Sequence, residues 1–202
     1  HVYRCADTNA WALGQFALPP VGVDTPGAAN LSCAALPPSI MVERRDLCAP
    51  AISQAVTVTD SIAGATSATL NYSINGGADT PVAMTNVGNL WSATIPGEAV
   101  NGTRVTYIVS AAIANGPDTG FRWGYFVGTV TVASLRSNDV NGVNDYRFHG
   151  ARINGVVTSD NFSNLAVNTD FYVQDATGGI NIFQSGLHPG MPARGNDVTV
   201  CG

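Results

Sequence analysis

Two histidines sit where acid–base chemistry is worth weighing: His149, next to Phe148, and His188, just before Pro189. A nucleophilic serine would need one of them as its base, but no Gly-x-Ser-x-Gly turn occurs to present such a serine. A lone histidine without a second motif is a structural or solvated residue more often than a catalytic one. Paired carboxylates would serve glycoside hydrolysis. The 14 acidic residues are instead spread thinly, and most are Asp in the company of Gly, Asn or Pro, where Asp forms turns. Asp170 and Asp175 flank the run Phe171-Tyr172-Val173-Gln174 and read as strand-end groups. No catalytic residue is assigned, and the expectation is that this chain is not itself an enzyme.

Metal chemistry has one candidate. Calcium prefers oxygen ligands, and Asp139, Asn141, Asn144 and Asp145 crowd such oxygens around Gly142. The run lacks the EF-hand spacing and its closing Glu, and a polar linker between modules has the same composition. No other cofactor is expected. The four cysteines, Cys5, Cys33, Cys48 and Cys201, include no CxxC pair, so a clustered zinc site is not indicated. They read as disulfide partners in an oxidising compartment. Three connectivities are open. Closeness in sequence favours pairing among Cys5, Cys33 and Cys48, with Cys201 unpaired here or bonded outside its module.

Binding chemistry is constrained by charge. All nine basic residues are Arg, and the net charge is −5. Without Lys there is no Lys–Asn isopeptide crosslink and no Schiff base. No basic patch exists beyond Arg44-Arg45, so no nucleic-acid partner is expected. Trp123 and Tyr125, in a run of aromatics from Phe121 to Phe126, are candidates for a ligand platform. The bland alternative is an edge strand packed on a neighbouring module. Asn-x-Ser/Thr sequons occur at Asn30, Asn71, Asn101 and Asn161, and they matter only where secreted proteins are glycosylated.

The elements that must position these residues are strands. Hydrophobic residues make up 45% of the 202 and charged residues 11%, against about 25% in ordinary domains. That balance supports a buried core and excludes a disordered tail. No run reaches about 18 apolar residues, so no membrane span is expected. Residues 1–50 are extended, Pro-rich and Cys-containing. Residues 51–135 alternate apolar and polar positions with turn signals such as Asn75-Gly76-Gly77, which predicts an antiparallel sandwich. Within it the strongest strand begins at Arg104, and a last strand is predicted over 126–132. Residues 139–202 carry a long strand over 147–158 bent at Gly150 or Gly155, then strands over 169–175 and 180–183, and the start of another at Asp197. Both ends of the chain are strand-like, so a piece of something longer is expected.

Three resemblances follow from these motifs. Tyr-x-x-Asn-Gly-Gly (Tyr72 to Gly77), Trp-x-Ala-x-Ile-Pro (Trp91 to Pro96) and Gly-x-x-Val-x-Tyr (Gly102 to Tyr107) resemble the immunoglobulin- or fibronectin-like modules of secreted bacterial proteins. Asn154-Gly155-Val156-Val157-Thr158, the run Phe171 to Asp175, Gly178-Gly179-Ile180 and Gly195-Asn196-Asp197-Val198 resemble the OB-fold modules found beside extracellular nucleases. An OB barrel needs five strands, and three with the start of a fourth are present, so the expected barrel is partial. Trp11-Ala12-Leu13-Gly14 and the stretch from Thr25 to Asn30 are similar to the end of a lamin-tail-like domain. The implied fold is all-β: an immunoglobulin-like sandwich followed by a partial OB-like barrel.

The implied function is a non-catalytic structural or interaction segment of a secreted or cell-surface protein, such as a fibre or stalk subunit joined by strand addition. Its partners would be copies of itself or neighbouring modules. One alternative is the accessory, targeting region of a secreted nuclease or phosphatase whose catalytic domain lies beyond Gly202. A carbohydrate-binding module is the other.

Overall fold

A computed structural model describes residues 48–202, apart from 115 and 164–166, together with the backbone of residues 2–4 and 11–13. Contacts divide the chain into His1–Ser39 and Ile40–Gly202. In the first unit β1 (Val2–Arg4) and β2 (Trp11–Leu13) form an antiparallel ladder. Cys5, Cys33 and the other residues of the Pro-rich region up to 47, these two strands apart, lie outside the described residues.

The second unit is all-β and holds a sandwich followed by a partial barrel. The sandwich is built from β3 (Val56–Ser61), β4 (Ala65–Ile74), β5 (Thr80–Ala83), β6 (Thr85–Val87), β7 (Leu90–Ile95), β8 (Arg104–Ile113), β9 (Gly116–Thr119) and β10 (Trp123–Phe126). A three-stranded sheet, β3-β7-β6, packs on a larger one ordered β10-β8-β4-β5, with β9 also pairing β8. The cause is period two. On β8, Val105, Tyr107, Val109 and Ala111 are buried while the residues between them are half-buried. Ala68 and Leu70 on β4 and Trp91, Ala93 and Ile95 on β7 complete the core. Truncating one such residue, Leu70→Ala for instance, removes about 2–5 kcal/mol.

Asn75-Gly76 makes the β4–β5 turn. Both have positive φ, 51° and 76°, and the Gly77 amide donates to the Ile74 carbonyl at 2.9 Å. That is the mirror-image turn whose twist suits a hairpin.

After β11 (His149–Gly150) come β12 (Arg152–Val157), β13 (Asn168–Asp175), β14 (Gly178–Ser185) and β15 (Asp197–Cys201). Four of these form an antiparallel sheet ordered β14-β13-β12-β15. The strand expected over 147–158 is broken at Ala151, because the chain changes sheets there. β11 runs parallel to β10 of the sandwich, and β12 enters the barrel. The strand expected over 126–132 ends instead at Phe126. Its continuation crosses to the barrel, where Val130 bridges Ile153.

β10 joins the two bodies. Trp123 and Tyr125 face the sandwich core, whereas Phe126 belongs to the barrel core with Val130, Val132, Ile153, Val157, Phe171 and Val173. Gly124 lies between them, and a Cβ there would overlap the His149 ring. Asn101 adds a fork: its Nδ2 donates to the Thr129 carbonyl at 2.7 Å and its Oδ1 accepts from the Thr129 amide at 2.9 Å.

A disulfide joins Cys48 to Cys201, with Cα atoms 4.9 Å apart. This corrects the pairing inferred from closeness in sequence. β15 lies along β12 so that Cys201 opposes Arg152. The Arg152 guanidinium donates to both sulfurs, at 3.1 Å to Cys48 and 3.4 Å to Cys201.

Two outcomes follow. The bond closes a loop of 153 residues' separation, so converting both Cys48 and Cys201 to Ser lowers stability by about 2–5 kcal/mol in the chain-entropy account. Urea unfolding with and without reductant should show this loss in the native chain and a smaller reductant effect in the variant, which keeps Cys5 and Cys33. Gly124→Ala costs about 1–3 kcal/mol through overpacking. Combined with His149→Ala, which clears the space, thermal melts should show a penalty smaller than the sum of the two.

Candidate functional site

The barrel sheet has one face packed and one region open. Val173 and Val157 are fully buried and Phe171 nearly so, because Phe126, Val130 and Val132 cover that part of the inner face. Farther along, Ile182 on β14 and Val198 and Val200 on β15 are only half-buried. They line a cavity of about 660 Å³ together with Thr169, Phe171 and the Cys48–Cys201 pair. His188 and Pro192, from the connection between β14 and β15, border its mouth.

Each outer strand is paired on one side only. Among the described residues β14 pairs with β13 and β15 with β12, and no strand lies beyond either. Antiparallel strands alternate the direction of their main-chain groups. The Thr158 amide donates to the Tyr172 carbonyl, so Tyr172 points at β12, and Phe171 and Val173 point at β14. Their partners are Ile182 and Ile180. The N–H and C=O groups of Asn181 and Phe183 therefore point away from the sheet. By the same logic Gly202, which exchanges two bonds with Ala151, places the main-chain groups of Thr199 on the outer edge of β15.

The tip of the β13–β14 hairpin is fixed by Asp175. Its Oδ1 accepts from the Thr177 amide (2.7 Å), the Thr177 hydroxyl (2.6 Å) and the Gly178 amide (3.0 Å), and its Oδ2 accepts from the Val132 amide (2.8 Å). The Thr177 hydroxyl in turn accepts from the Ala133 amide at 3.0 Å. These donors, the Thr177 hydroxyl first, hold the Asp175 carboxyl down at about 2. The hairpin that forms one wall of the cavity is thereby tied to the segment leaving the sandwich, which includes the 3-10 turn Ala133–Leu135.

Of the residues singled out from sequence, His188, Cys48 and Cys201 border this cavity, and the others fall elsewhere. His149 is inward and crowded by Phe126 and Tyr146. Its Nδ1 is 3.1 Å from the Arg147 carbonyl, and its buried Nε2 has no partner among the described residues. Burial first, with Arg104 adding to it, lowers its pKa and favours the neutral ring. His188 accepts from the Gly190 amide through Nδ1 at 3.1 Å. The calcium candidates hold their own loop. Asp139 Oδ1 accepts from the amides of Asn141 and Val143, Asn144 bonds the Leu135 carbonyl and the Tyr146 amide, and Asp145 accepts from Ser137. Among the described residues no three His, Cys, Asp or Glu side chains converge as a metal site.

Tyr125 does not form a surface platform with Trp123. Alternation turns both toward the sandwich core, leaving Tyr125 1% exposed and Trp123 half-buried. The rings that reach solvent at this corner are Phe121 and Phe148. The apolar part of the cavity lining was not singled out from sequence. Its signal was the alternation of Ile180 with Ile182 and of Val198 with Val200, which fixes a face but not whether that face is covered.

No helix of the described residues is long and apolar enough to cross a membrane.

The Asp175 contacts set an acid limit. Its carboxyl is lowered in the fold to about 2 from an ordinary 3.8, so its contribution is fully present above pH of about 4 and is lost as pH falls toward about 2. Acid unfolding followed by circular dichroism should show Asp175→Asn less stable than the native chain at neutral pH, with the gap closing across that window. No protein-family model matches the chain, and no curated protein matches it.

Proposed function

We propose that this chain is a non-catalytic interaction segment of a secreted or cell-surface protein, and that it self-associates by strand addition at the open barrel. The observation that carries the reading is the edge of β14, which is unpaired among the described residues. An unpaired antiparallel edge is a template for another strand, and folded proteins commonly blunt such edges with charge, proline or a covering element. The β14 sequence, Gly178-Gly179-Ile180-Asn181-Ile182-Phe183-Gln184-Ser185, has no charged residue and no proline. Its antiparallel edge is self-complementary, so two copies can pair about a two-fold axis. The half-buried Ile182 gains cover in the process. The Cys48–Cys201 disulfide is compatible with an oxidising, extracellular setting.

The test is the association state. Sedimentation velocity across a wide range of concentrations should show reversible assembly of the native chain. Phe183→Pro removes an amide that points outward, so the fold should keep its thermal midpoint while assembly weakens by roughly tenfold or more. Thr199→Pro, on the other free edge, is the matched control. A chain that stays monomeric throughout sinks the reading.

A further inference from the structure

The corner where β10 meets the 137–149 segment carries a second site, independent of the β14 edge. Phe121 and Phe148 are each 51% exposed, with ring centroids 4.6 Å apart and planes at 76°. Trp123 stands behind both, edge-on, at 5.6 and 5.7 Å. Phe148 has φ of 67°, a left-handed conformation that is an outlier for a bulky side chain. The fold holds it there through the Gly124 amide, which donates to the Phe148 carbonyl at 3.1 Å, and through the pairing of β11 with β10. Apolar rings usually turn inward, but here a strained backbone presents one to water. Strain of this kind collects at binding sites.

The surrounding groups narrow the ligand. A cavity of about 320 Å³ is lined by both Phe rings and rimmed by Arg122, Arg147, Asp139 and Asp145. The Arg147 guanidinium lies 5.8 Å from the centre of the Phe148 ring. Arg122 is forked to Asp79 at 2.7 and 3.0 Å, which neutralises it and fixes its plane. With Arg122 neutralised by Asp79, the rim keeps Arg147 against Asp139 and Asp145, which disfavours an anion and suits a neutral ligand rich in hydroxyls. The volume stands at the small end of ligand sites, about 300–1,000 Å³. It admits one or two six-membered rings, not a lipid chain or a helix.

We propose that this corner binds a neutral pyranose unit of an oligosaccharide. One C–H face of the sugar packs on the Phe148 ring against Phe121. Its hydroxyls bond the carboxylates and guanidinium groups of the rim.

Binding of the intact chain is read on an array of neutral gluco-, galacto-, manno- and N-acetylglucosamine oligosaccharides, followed by calorimetric titration with the same soluble sugars. Saturable binding to at least one class is expected. Phe148→Gly separates binding from folding, because it relieves the left-handed backbone while removing the ring. The thermal midpoint should hold or rise, and affinity should fall by roughly tenfold or more. Phe121→Ala should weaken the same sugar. Blank array and titration, equal affinity in Phe148→Gly, or preference for acidic sugars or aromatic peptides over neutral ones would each overturn the proposal.

Discussion

The structure of residues 48–202 depends on one strand having two faces that answer to two cores. β10 puts Tyr125 among the sandwich side chains and Phe126 among those of the barrel. Adjacent residues of a strand point in opposite directions, so neither body can rotate about this strand without uncovering an aromatic. Gly124, on the same side of the strand as Phe126, stays without a side chain because the close approach of His149 leaves no room for one. The Asn101 fork, the Asp175 anchor and the disulfide then act on a geometry that burial has already set.

That arrangement also explains why the barrel is unequally covered. Segment 126–132 supplies Phe126, Val130 and Val132 to one part of the inner face. It reaches no farther, and Ile182, Val198 and Val200 stay half-buried. Net stability of a small domain is a narrow difference between large terms, and this one keeps apolar surface open beside an uncharged edge. A sheet that aims only at monomeric stability has cheap means of closing such an edge. β14 carries neither a charged residue nor a proline.

Much of the fold was legible in the sequence because period-two alternation and Asn-Gly turn chemistry are local. The sandwich strands, the turn at Asn75-Gly76 and the core places of Trp91 and Tyr107 follow from them. What was not legible depends on where the chain goes after leaving a strand. Residues 126–132 and 147–158 have apolar patterns continuous enough for single strands, and only the transfer between sheets breaks them. The disulfide is a non-local fact of the same kind, since β15 returns to β12 and carries Cys201 to Cys48. For Trp123 and Tyr125 aromatic content suggested exposure, and the face they share decided otherwise. The solvent-facing corner fell to Phe148 through a positive φ that no propensity predicts.

The fork between Asn101 and Thr129 bears on modification. Asn101 lies in a sequon, yet the Nδ2 to which a glycan would be joined is the atom that donates to the Thr129 carbonyl. Asn161 is committed in the same way, through its Nδ2 to the Asn168 carbonyl. An N-linked sugar on either residue would replace one of the two hydrogens of an amide nitrogen that the folded chain already uses as a donor. At position 101 it would crowd the junction between sandwich and barrel.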